Sequence, residues 1–66
     1  MKNTIRIQRA IKNITQAELA ELIQVSRQTI NTIESGKYVP STVLALKMAK
    51  VFEVAVEQLF ELEEGD

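Results

Sequence analysis

The chain has no cysteine, no histidine and no tryptophan, and its 66 residues include only two glycines and one proline. Without cysteine there is no disulfide, no thiolate nucleophile and no sulfur ligand. Without histidine there is neither an imidazole general base nor the usual nitrogen ligand for zinc. Carboxylates, hydroxyls and amines alone remain for chemistry. The carboxylates are scattered along the chain and no glycine-rich phosphate loop accompanies them, so no enzyme activity, cofactor or metal is expected. Long apolar runs are missing too, and the N-terminus MKNTIRIQRA lacks the apolar block of a signal peptide. These absences predict a cytoplasmic protein with no membrane association.

A chain this short is one domain, residues 1–66, near the length at which a single core contributes only a few kcal/mol, so association with another chain would help it. The net charge of −1 hides an uneven distribution. Residues 1–38 carry six basic side chains (Lys2, Arg6, Arg9, Lys12, Arg27, Lys37) against three acids (Glu18, Glu21, Glu34), and the remainder is acidic. Such asymmetry is expected of a polyanion-facing surface, although scatter of a few charges would also produce it.

Helical spacing dominates. Ile5 to Ile11 fit a first helix over about 4–12, with Ile5 and Ile7 leaving a strand open at its start and Asn13 suited to a left-handed stop. Thr15-Gln16-Ala17-Glu18 is a capping box that starts a second helix at about 16. Ser26 caps a third, and Ser35-Gly36 ends it. Ser41 caps a fourth over about 42–52, and VEQLF suits a short fifth over about 56–60, although Ala55 is a poor cap. The tail FELEE alternates apolar and acidic residues, as a strand or a fraying helix end does. The fold class is all-α, a compact five-helix bundle.

The third helix is the informative one. On a helical wheel Arg27, Asn31, Ser35, Gln28 and Thr32 form one contiguous polar face without an acid, while Ile30 and Ile33 form a narrow docking seam. Arginine pairs bidentately with guanine, and glutamine or asparagine with adenine, from a helix of major-groove width. A solvated surface helix would show similar composition. The neighbourhood favours DNA, because two capped helices separated by a very short turn are the helix-turn-helix layout, here over about 16–35.

The run ITQAELAELIQVSRQTINTIESGKYVPS closely resembles the Xre family of helix-turn-helix regulators, the Cro and lambda-repressor type, and the resemblance extends from Ile5-Arg6 to Leu59-Phe60. Thr15-Gln16, Leu19-Ala20, Val25-Ser26, Ile30, Ile33-Glu34, Gly36-Lys37 and Pro40-Ser41 all fall in register. Two positions depart from the pattern. Gln24 stands where the family often has glycine in the turn, so the turn either avoids a positive φ or carries about 1 kcal/mol of strain. Ala55 stands where a hydroxyl residue usually caps the last helix.

The resemblance implies site roles. Gln16 should contact a DNA phosphate, unless it is an ordinary exposed helix start. Arg27 and Gln28 should read bases, followed by Asn31, with Thr32 meeting a thymine methyl or a phosphate and Thr29 lying toward the backbone. Ser35, Lys37 and Tyr38 resemble a second phosphate clamp, or else form a solvated turn. Arg9 and Glu34 occupy positions of a structural ion pair between helix one and helix three. One short helix reads only a few base pairs, so a homodimer reading half-sites about 34 Å apart is expected. Its interface is expected in the C-terminal segment, at Val54, Val56, Leu59, Phe60 and Leu62; the alternative is that all five belong to the monomer core. Some small members of the family add a two-stranded sheet pairing the chain ends, and MKNTI with FELEE would suit it.

The expected function is a sequence-specific transcriptional regulator that represses by binding a palindromic operator in double-stranded DNA. The competing reading is an antitoxin or regulatory subunit that acts mainly through a protein partner.

Overall fold

In the computed structural model, which describes residues 1–66, the chain runs β1 (Lys2–Asn3), α1 (Ile5–Lys12), α2 (Gln16–Ile23), α3 (Arg27–Glu34), α4 (Thr42–Phe52), α5 (Val56–Leu59) and β2 (Phe60–Glu61). Hydroxyl caps set three of the helix starts. Thr15 Oγ1 accepts the Glu18 N–H at 3.0 Å while the Glu18 carboxylate accepts the Thr15 N–H at 2.9 Å, the reciprocal box read from the sequence. Ser26 Oγ accepts the Thr29 N–H and Ser41 Oγ the Leu44 N–H. Ala55 has no such acceptor, and only the return half of a box forms there, with Gln58 Oε1 accepting the Ala55 N–H at 2.8 Å.

Left-handed residues end the helices. Asn13 (φ 58°), Gln24 (φ 62°) and Glu53 (φ 57°) close α1, α2 and α4, and Gly36 (φ 79°) follows α3. The α2–α3 turn therefore does use a positive φ, at a glutamine.

β1 and β2 pair antiparallel, Lys2 opposite Glu61 and Asn3 opposite Phe60, so a small sheet joins the two ends of the chain. Thr4 extends this seam: its N–H reaches Leu59 O and its hydroxyl donates to Gln58 O, both at 2.9 Å. The core draws on every helix. Ile5, Leu19, Ala20, Ile23, Ile30, Ile33, Met48, Phe52, Leu59 and Phe60 form one cluster.

Closing this core uses residues expected at a dimer interface. Leu59 is fully buried and Phe60 9% exposed within the single chain, Val54 and Val56 pack half-buried against the same cluster, and only Leu62 stands out at 75% exposure. The physical reason is helix length. The eight-residue α1, α2 and α3 bury one to three side chains each, and the remaining apolar volume is filled by the tail folded back through the sheet. No helix is long and apolar enough to cross a membrane.

Candidate nucleic-acid interface

Ile30 and Ile33 are buried and fix α3 on the domain, leaving Arg27, Gln28 and Asn31 exposed along its outer side. Ser35, Lys37 and Tyr38, at and beyond its C-terminal end, are exposed as well, whereas Thr29 and Thr32 are half-buried. The hydroxyl groups on this helix are already bonded. Thr32 Oγ1 donates to the carbonyls of Gln28 and Thr29, Ser35 Oγ to that of Thr32, and Thr29 Oγ1 lies 2.9 Å from Ser26 Oγ. Arg27, Gln28 and Asn31 are thus the long polar side chains left to reach outward, and these three alone line a surface cleft of about 140 Å³.

The single acid of α3 is turned away from this face. The Glu34 side chain is 1% exposed and takes a bidentate bond from Arg9, Nε to Oε2 at 2.6 Å and Nη2 to Oε1 at 3.1 Å. Arg9 Nη1 also donates to Ile14 O, so one guanidinium joins α1, the α1–α2 link and the last turn of α3. Burial alone would push the Glu34 carboxyl up. Hydrogen bonds from Arg9 and Gln16, with the charges of Arg9 and Arg6, more than offset that and hold it below the usual range. The ion pair implied by the family pattern is therefore present, and α3 offers DNA no uncompensated negative charge.

Gln16 makes contacts within the domain that its position at a helix start did not suggest. Its Nε2 donates to Glu34 Oε1 at 3.2 Å and lies 3.5 Å from Asn31 Oδ1, so the first residue of α2 braces α3. An open groove of about 530 Å³ runs beside it, lined among others by Thr15, Gln16, Ala17 and Arg27. A groove crossing the positive end of α2 and flanked by Arg27 suits a sugar–phosphate strand. Asn3 has no signature in the sequence: its Nδ2 donates to Ile33 O at 3.0 Å, which anchors the last turn of α3 to β1. Nothing local to MKNTI signals a partner thirty residues away.

The Helix-turn-helix family pattern matches residues 5–59. The chain belongs to the helix-turn-helix family. Its domain is of the Xre and lambda-repressor type, and the protein is a transcriptional regulator with a helix-turn-helix DNA-binding domain. An uncharacterised HTH-type transcriptional regulator of Methanocaldococcus jannaschii is 50% identical over 66 residues, covering both chains completely. The uncharacterised HTH-type transcriptional regulator YgzD of Bacillus subtilis is 47% identical over 97% of each chain. The HTH-type transcriptional activator BcrR of Enterococcus faecalis is 42% identical over 80% of this chain but only 26% of its own length. Within this helix-turn-helix unit α2 and α3 are separated by Gln24, Val25 and Ser26, and the Val25 N–H closes the turn on Ala20 O at 2.9 Å.

Proposed function

We propose that the protein is a sequence-specific repressor that binds a palindromic operator as a homodimer, with α3 in the major groove of each half-site. The observation that carries this reading is the outward face of α3, where Arg27, Gln28 and Asn31 are exposed, free of acid and held on a helix braced at both ends. Arg27 and Gln28 read base edges, and Asn31, freed when Gln16 turns to a phosphate, adds a third contact. Thr32 contributes apolar contact with a thymine methyl, since its hydroxyl is already bonded to the helix backbone. Gln16, Lys37 and Tyr38 meet the phosphates, and Thr29 and Ser35 join them by exchanging the local bonds their hydroxyls now make, fixing register without reading sequence. Gln16 reaches a phosphate by releasing Asn31, the weaker of its two contacts. Bound over a promoter, such a dimer represses by occluding polymerase.

Selection of bound fragments from random duplex DNA tests the proposal. It should yield two inverted half-sites centred about 10–10.5 bp apart. Enrichment of a single unrepeated site, or of no site, would sink it.

A further inference from the structure

Six basic side chains stand in residues 1–38, and the fold disposes of them unequally. Arg9 is bonded twice to Glu34, and Lys12 Nζ lies 2.9 Å from Glu53 Oε1. Lys2 stands opposite Glu61 in the small sheet. Arg27 and Lys37 already have places on the DNA-facing side proposed above. Arg6 is left without an assignment.

The Arg6 side chain is 78% exposed, and the one ion pair it forms is long, Nε to Glu34 Oε1 at 3.7 Å. That exceeds hydrogen-bond length. Both Glu34 oxygens are meanwhile bonded, Oε2 by Arg9 and Oε1 by Arg9 and Gln16. Arg6 therefore gives Glu34 charge without a hydrogen bond, and so long a pair with one partner in water adds little to stability. Three and four residues away from Arg6 stand Lys2, Asn3, Arg9 and Ala10, none of them an acid. Its guanidinium is free to move.

The cluster as a whole is cationic. Arg9 alone balances Glu34, so Arg6 leaves one net positive charge beside the carboxylate. Its place decides what that charge serves. The oxygen that Arg6 approaches, Glu34 Oε1, also accepts Gln16 Nε2 at 3.2 Å, and that amide lies 3.5 Å from Asn31 Oδ1. Arg6 thus stands one carboxylate oxygen away from the first residue of α2, where the proposed phosphate contact meets the positive end of the helix. Each strand of duplex DNA carries a phosphate for about every 3.4 Å of helix axis. A strand that passes Gln16 brings a further phosphate past this corner of the domain. We infer that Arg6 binds a DNA phosphate next to the one met by Gln16, its guanidinium swinging from Glu34 to the strand while Arg9 keeps the carboxylate neutralised. Two arginines three residues apart on α1 then divide the work, Arg9 holding the fold and Arg6 the DNA. This inference deepens the DNA-binding reading proposed above and rests on it.

Salt titration of binding tests it, with wild type, Arg6→Gln and Arg6→Lys on the operator selected as above and on a random duplex of equal length. Removing one phosphate contact lowers the slope of log affinity against log salt by about 0.9. Arg6→Gln should show that loss on both duplexes, so that a fourfold rise in salt weakens it about 3.5-fold less than wild type. Its operator preference and urea midpoint should stay unchanged. Arg6→Lys should restore the slope, because a point charge suffices for it. A folded Arg6→Gln with the wild-type slope overturns the inference and leaves the DNA reading standing. So does a lowered urea midpoint with an unchanged slope, which would mark Arg6 as a brace for Glu34. A wild type that binds neither duplex overturns both. Should Arg6→Gln fail to fold, the wild-type Arg6 Nε–H resonance decides, identified by its loss in Arg6→Lys. It should shift as the random duplex is added, and a resonance that stays in place sinks the inference.

Discussion

Glu34 shows how one residue joins fold to function. Its carboxylate receives Arg9 and Gln16 and closes α3 against α1 and α2. Truncating one partner of such a buried pair costs about 3 kcal/mol, a large share of the stability a domain of this size possesses. Arg9→Ala should therefore lower the thermal midpoint steeply, whereas Arg27→Ala, on an exposed residue, should leave it within a few degrees. The pH dependence follows in sign. A carboxyl held below its unfolded value stabilises the fold above about pH 4.3 and loses that contribution as pH falls through the depressed folded value. The stability gap between wild type and Glu34→Gln, measured by urea titration, should shrink below about pH 4. A gap that stays constant to pH 2 would show that Glu34 is not held ionised by these partners. Gln24 gives a prediction of the opposite kind. Its φ of 62° is natural for glycine, so Gln24→Gly should stabilise by about 0.5–1 kcal/mol and raise the midpoint by a few degrees.

Among the elements, what could be read in the sequence was mostly local. Thr15, Ser26 and Ser41 cap the helices they were expected to cap, Asn13 takes the left-handed stop, and α4 spans the expected 42–52. These signals act within a few residues and survive in any tertiary setting. Gln24 could be narrowed to two backbone shapes and no further. The fate of Leu59 and Phe60 could not be read, because apolar side chains look alike whether they fill a core or meet a partner; that depends on the volume left by short helices. Nor could Asn3, whose bond to Ile33 O depends on the chain ends meeting. Asn3→Ala removes that bond at a cost of about 1 kcal/mol. It should increase amide exchange at Ser35 to Lys37 more than in α4, and uniform acceleration across all helices would deny Asn3 a special hold on α3.

For the whole molecule, the proposed function requires the basic N-terminal part of the chain, rather than the acidic C-terminal part, to face the polyanion. Phosphate contacts act on every sequence alike. Lys37→Ala should lower the slope of log affinity against log salt by about 1, with specific and non-specific duplexes affected equally. Base contacts act on one sequence only, and they decide whether α3 is the reading element. The measurement that bears on this most directly is the ratio of operator to non-specific affinity, at one fixed salt concentration, for wild type, Arg27→Ala and Gln28→Ala with circular dichroism confirmed as native. Each substitution should lower that ratio by about 5- to 150-fold, with helicity unchanged. Two folded variants that keep the wild-type ratio would show that α3 does not read the bases.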